Sequence, residues 1–250
     1  SFHDGVSHPH ELAAAAAELG YDAFALTDHD AVHGSMEFAQ AAAPLGVKAI
    51  HGAEVTVEGG HHLTLIAENH LGWSTLCRIL TLAHAGTRDG SKQRDPQPPR
   101  IDFDRLLELA QDGGGLICLS GCAARGVVAG RIARGEGAAA EGAARRLIGA
   151  LGSENFFIEI QRPFQRHDRQ LGIALGDLAR RLGVPTVATG NVHVHLRSHA
   201  ALQDVFVALI EYGSDLAGEG LFARQGWPRL APSQFSPSRM FRAIPGRSAS

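Results

Sequence analysis

Cysteine is scarce. Cys77, Cys118 and Cys122 are all that 250 residues contain, and a chain of this length held by disulfides would carry more of them in pairs. Cys118 and Cys122 do not form a CxxC pair, so a reducing, cytoplasmic setting is expected. Basic charge is also in short supply: Lys48 and Lys92 are the only lysines, and 23 Lys+Arg against 26 Asp+Glu leave a formal net charge of -3. That balance excludes nucleic-acid binding by bulk positive charge. No apolar run approaches the ~20 residues of a membrane-spanning helix, and no basic start followed by an apolar core opens the sequence. Neither a span nor a signal peptide is therefore expected. What the chain has in quantity is histidine, 14 residues, within a composition 44% hydrophobic that suffices for one large domain.

Strand-like apolar runs fall at about 23–27, 47–53, 62–67, 115–120, 155–161 and 185–189. Most are separated by helical patterns, at about 8–19, 34–43, 71–85, 102–112, 123–134, 138–151, 165–182 and 198–210. Val55 to Val57 extend the second strand, and the turn Glu58-Gly59-Gly60 sends the chain back into His62 to Ala67, a hairpin-like excursion in an otherwise alternating pattern. Residues 86–100 are polar, carry three prolines and read as a surface loop. The alternation predicts an α/β fold, a β/α barrel of parallel type, over residues 1–211, followed by an irregular tail or linker at 212–250. The opening residues SFHDGVSHPHEL read as a loop that follows an earlier element. Arg125, Arg131, Arg134, Arg145 and Arg146 read as a solvated helix face rather than a binding patch, given the acidic balance.

The stretch AFALTDHDAVHG, 23–34, passes from an apolar run straight into Asp28, His29 and Asp30 at a strand-to-helix turn, the edge where parallel α/β folds do chemistry. Taken alone it is equally an aspartate N-cap beside a surface histidine. Repetition changes the reading. In a barrel the strand ends form one ring, so Asp28, His29, Glu54, Cys122, Asn191 and His193 converge, with Asp4 arriving from the preceding loop. Asn191, His193 and His195 share a face if the last strand stays extended. Imidazoles and carboxylates together suit zinc, manganese or iron, and a set this large suggests more than one ion. Closely spaced ions of this kind clamp phosphate oxygens, so the expected reaction class is metal-assisted phosphoester hydrolysis. His62, at a strand start, reads equally as ligand or bystander; Cys122 reads equally as ligand or buried small apolar residue. His195 is a candidate to support a ligand from behind.

The ordered segments FHDGVSHPHEL, ALTDHD, HGAEVTV, HHLTLIAEN, CLSGC and ATGNVHVH resemble the polymerase and histidinol phosphatase (PHP) domain. GWSTLCRILTLAHAG and HLRSHAALQDVFVAL are similar to the version found in the bacterial DNA polymerase III alpha subunit, and SFHDGVSHPHEL, LQDV and ATGNVH to its error-prone, damage-tolerant branch. The resemblance covers about residues 1 to 210. It implies a distorted (β/α)7-type barrel whose first strand, with a His-x-His pair, precedes Ser1. It places the metal set on Asp4, His29, Glu54, His62, Cys122 and His193, with Asn191 where an aspartate often ligates, and leaves Asp28 and His195 as supporting residues. An asparagine offers only a neutral amide oxygen, which weakens a bridging site.

For function, the resemblance implies an N-terminal fragment of an error-prone DNA-directed DNA polymerase, a nucleotidyltransferase of damage-induced translesion synthesis and repair. Its polymerase acids, working with Mg, would lie in a palm domain outside this chain, so no catalytic residue for polymerisation is expected here. The PHP domain would bind divalent ions, Zn or Mn, and either proofread primer 3′ ends or buttress the polymerase. Implied partners are DNA, deoxynucleoside triphosphates, a sliding clamp and damage-response proteins. Two alternatives stay open: a free-standing PHP phosphatase acting on a small monoester such as histidinol phosphate, and a metal-stabilised interaction module without activity.

Overall fold

The computed structural model describes residues 5–87, 97–162 and 166–205. In chain order the elements are α1 (Pro9–Glu18), β1 (Ala23–His29), α2 (Ser35–Ala42), β2 (Lys48–Val57), β3 (His61–Ala67), α3 (His70–His84), α4 (Phe103–Gly113), β4 (Leu116–Leu119), α5 (Ala129–Ala133), α6 (Gly137–Leu151), β5 (Phe156–Gln161), α7 (Asp168–Leu182) and β6 (Thr186–Thr189). The six strands form one sheet in the order β1-β2-β3-β4-β5-β6, and the α/β expectation holds.

The sheet is mixed rather than purely parallel. β1–β2, β4–β5 and β5–β6 pair parallel, whereas β3 runs antiparallel to both β2 and β4. The cause is local. Gly59 and Gly60, at φ 83° and 73°, make a tight turn that leaves no room for a crossover helix, so β3 must fold back on β2. The hairpin read from the sequence is thus present, and its consequence is positional: the start of β3 shares a rim with the C-terminal ends of the other five strands.

Strand alternation sorts the two faces. Ala53, Val55, Leu63, Leu65, Leu116, Cys118, Phe156 and Ile158 point one way and are buried, covered by Leu76 and Ile79 of α3, Leu106 and Leu109 of α4, Leu147 of α6, and Leu175 and Leu178 of α7. Truncating Leu63 or Leu65 to alanine in such a layer costs about 2–5 kcal/mol. A smaller cluster, Ala13, Ala16, Leu26, Phe38, Ala42 and Val47, seats α1 and α2 on β1. Helix starts follow their caps: Asn69 accepts from the Leu71 and Gly72 amides, and Asp102 accepts from the Arg105 amide at 2.8 Å.

Several boundaries differ from the sequence reading. β2 is continuous through Glu54 to Val57, so Glu54 lies within a strand and not at its end. The helix expected over 123–134 is a turn followed by the short α5. Backbone pairing decides this: the His62 N–H donates to the Arg125 carbonyl at 2.8 Å and the Val127 N–H to the His62 carbonyl at 2.9 Å, so these groups serve β3 and not a helix. The last strand ends at Thr189. Asn191 sits at φ 48°, in the left-handed region that asparagine tolerates, so the extended form does not continue through Asn191, His193 and His195. The final helix begins at 200 and is described to 205; its expected end at 210, most of the loop 86–100, and the boundary at 211/212 lie outside the described residues.

Candidate metal centre

β1 delivers His29 to the rim, and the next residue locks it there. Asp30 adopts φ 48°, its N–H donates to the Glu54 carbonyl at 2.8 Å, and its carboxylate accepts from both the Thr56 N–H and the Thr56 hydroxyl at 2.7 Å. Its carbonyl takes the His84 Nε2 proton at 2.7 Å. This clasp fixes β1 against β2 with His29 directly opposite Glu54 in the register. Residues opposite one another share a face, so the two side chains meet.

β3 supplies the third group because it runs backwards. His62, opposite Thr56 and diagonal to Glu54, places Nδ1 2.8 Å from Glu54 Oε1. His29 Nε2 lies 3.8 Å from Glu54 Oε2, and the two imidazole centroids are 5.2 Å apart, edge to face. One ligand atom from each of His29, Glu54 and His62 lies within 4.8 Å of the others. The side chains are 18%, 15% and 12% exposed, sheltered yet reachable from the rim. Two imidazoles and one carboxylate form a donor set that fits a divalent ion such as zinc or manganese.

The other sequence candidates are placed as follows. Cys122 follows β4 on the same rim, half-buried; burial pushes its thiol up, with the Glu54 charge adding to that. His193, half-buried, follows β6, and its carbonyl accepts from the Val6 N–H at 3.2 Å. Neither joins the tight group, and Asn191 is exposed. Asp28 alternates with His29 and faces the helices instead, where its carboxylate accepts from the Gly34 N–H at 3.1 Å beside the start of α2. His195 Nδ1 lies 2.8 Å from Ser7 Oγ and 3.9 Å from Glu11 Oε2, tying the segment after β6 to the start of α1. Asp4 lies outside the described residues.

Glu159 was missed in the sequence. It stands on β5 on the face that Glu54 shares through Thr64, Leu119 and Phe157, and it is 5% exposed. Its Oε1 accepts from Gln161 Nε2 at 2.9 Å and from the Thr189 hydroxyl, while Oε2 has no hydrogen-bond partner among the described residues. Burial pushes its carboxyl above the usual carboxylate range, and the Glu54 charge pushes the same way. The available signal was a lone acid inside the apolar run FFIEIQ.

The PHP domain family matches residues 1–163. An error-prone DNA polymerase from Symbiobacterium thermophilum is 39% identical over 215 residues, covering 84% of this chain and 20% of that protein. An error-prone DNA polymerase from Mycobacterium bovis is 36% identical over 242 residues, 93% of this chain and 21% of that protein. A DNA polymerase III subunit alpha from Treponema pallidum is 32% identical over 220 residues, 82% of this chain and 18% of that protein. The chain thus spans about a fifth of the length of these curated relatives.

Proposed function

The chain belongs to the PHP domain family, and from that premise we propose that it is the metal-dependent phosphoesterase module of an error-prone DNA polymerase III alpha-type protein, trimming primer 3′ ends during repair synthesis across damaged DNA. The observation that carries this reading is the convergence of His29, Glu54 and His62 from three strands on one sheltered rim. The module comprises residues 1–211, with 212–250 as a linker or irregular tail, and Asp4, Cys122, Asn191 and His193 complete the ion-binding set. Template-directed nucleotidyl transfer, with its Mg, deoxynucleoside triphosphates, clamp and damage-response partners, belongs to the longer cytoplasmic protein. No helix among the described residues is long and apolar enough to cross a membrane.

A bound divalent ion supplies Lewis acidity toward a phosphoryl oxygen. The chain's own residues do the positioning. Glu54 holds the His62 ring at Nδ1 and so fixes its orientation beside His29. Asp30 and Thr56 hold His29 and Glu54 at fixed separation. The half-buried rim limits the water around the Glu54 carboxylate, which strengthens its attraction for a cation at the cluster.

A second reading, a metal-stabilised buttress for the polymerase, draws on Asn191, whose neutral amide brings no charge to a bridging position. The assay that separates the two uses the protein translated from the complete reading frame and a 3′-labelled primer with manganese or zinc. Metal-dependent 3′ trimming that disappears in His29→Ala supports the phosphoesterase. Metal uptake that raises the melting temperature with no trimming supports the buttress.

A further inference from the structure

The five arginines that sequence reading assigned to a solvated helix face divide into two groups. Arg145 pairs with Glu141 at 2.7 Å, and Arg146 pairs with Asp104 while lying over the Phe103 ring, so both belong to the ordinary charged surface. Arg125 and Arg134 instead line a cleft of about 470 Å³ with Gly59, Gly60, His61 and Glu136. Arg125 makes no ion pair among the described residues, and Arg134 has Glu136 at 3.1 Å. Arg131 lies close by, its guanidinium donating to the Val127 carbonyl at 2.9 Å. Glu136 is the one acid lining the cleft, so positive charge is left over in a chain whose overall charge is -3.

The position of Arg125 is fixed by the metal rim itself. Its carbonyl accepts from the His62 N–H at 2.8 Å, its own N–H donates to Cys122 Sγ at 3.5 Å, and Gly126 N–H closes the turn onto the Cys122 carbonyl at 2.8 Å. His61 and His62 are successive residues of β3 and so face opposite sides of the sheet. The cleft is therefore reached from the metal cluster by passing over the rim, one residue along the strand. A small phosphate monoester at His29, Glu54 and His62 has no second phosphate to extend over that edge. A polynucleotide does.

We propose that the Arg125–Arg134–His61 cleft is an anion subsite that holds a backbone phosphate of a single nucleic-acid strand whose terminal phosphodiester lies at the metal cluster. This rests on the phosphoesterase reading for what occupies the cluster, while the cleft's affinity for the strand can be measured without any ion. Arginine suits this task because its fork donates two parallel hydrogen bonds to phosphate oxygens. The glycine turn beside it keeps side chains out of the approach.

The test is fluorescence anisotropy with a short 5′-fluorescein oligothymidylate, with EDTA present and salt varied, on the complete protein and its variants. Arg125→Ala and Arg134→Ala are each expected to weaken binding by about tenfold and to lower the magnitude of the salt slope by about one. Arg125→Lys should retain part of the affinity, and Arg145→Ala, away from the cleft, should bind as the parent does. Melting curves of Arg125→Ala must match the parent. Unchanged affinity and slope in both cleft variants overturn the proposal. So does competition by inorganic phosphate as effective, per phosphate, as that by unlabelled strand, which would make the cleft a free-anion site. Zinc or manganese titrations run alongside keep the two ideas apart: arginine-dependent strand binding in a protein that takes up no ion supports the cleft and sinks the phosphoesterase reading alone.

Discussion

His62 Nδ1 lies 2.8 Å from Glu54 Oε1 although the two residues belong to strands that run in opposite directions. This contact makes Glu54 the hub of the cluster, since its other oxygen faces His29 Nε2 at 3.8 Å. Removing the charge while keeping the shape, Glu54→Gln, is expected to lower zinc or manganese affinity by about 10- to 100-fold in calorimetric titration. For the parent, ion at a hundred times its Kd contributes about 2.7 kcal/mol. In a domain of this size that raises Tm by about 5–10 °C, reversed by EDTA. An ion-induced shift in Glu54→Gln equal to that of the parent would place the ion elsewhere.

Asp30 is the clasp behind this pair. Its carboxylate accepts two hydrogen bonds from Thr56 and its backbone is left-handed. Asp30→Ala strands a half-buried Thr56 amide and puts a Cβ-bearing residue without a compensating side-chain bond at positive φ. Urea unfolding should show a loss of about 2–4 kcal/mol. Asp30→Asn keeps one acceptor oxygen and tolerates the conformation, so its loss should be clearly smaller. Equal losses would mean that the charge, and not the bond to the amide, holds the strands.

Gly121 allows the Cys122 turn to touch β3. At φ 87° it is already in the glycine region, and a Cβ there would lie 2.3 Å from the His62 carbonyl and 2.7 Å from the Gly126 Cα. Backbone cannot yield as a flexible side chain would. Gly121→Ala is therefore expected to destabilise by more than about 1 kcal/mol and to weaken ion binding by displacing His62. A variant with parental melting and parental ion affinity would show that the turn is free to move.

The strands and the α/β class are legible in the sequence because apolar runs alternate with helical patterns, and His29 is legible because it closes one of those runs. Three features were beyond its reach for identifiable reasons. The Glu58-Gly59-Gly60 turn marks the reversal of β3, but the register that sets His62 diagonal to Glu54, and so makes an even choice a member of the cluster, depends on pairing and not on periodicity. The 123–134 segment has helical composition, yet its backbone groups near Arg125 and Val127 are taken by His62. Asp28 and His29, adjacent in sequence, part company because a strand sends neighbours to opposite faces, and the motif alone does not say which of the two looks inward.

Glu159 gives the sharpest pH prediction. Burial first, and the Glu54 charge after it, push its carboxyl above the usual range. Below the unfolded-state value both states carry the proton and the group contributes nothing to the pH dependence. Above it the unfolded chain ionises while the folded chain retains the proton, so the folded state binds more protons and stability falls as pH rises. Glu159→Gln cannot ionise but preserves an acceptor for Thr189 and Gln161, so in EDTA it should melt with the parent near about pH 4 and above it near about pH 8. Glu54→Gln removes the neighbouring charge and should shrink that difference without abolishing it, because desolvation is the larger cause. Curves for the parent and Glu159→Gln that stay parallel across this range would mean that the unpartnered Oε2 finds a donor in solution, and that Glu159 is held ionised behind the cluster.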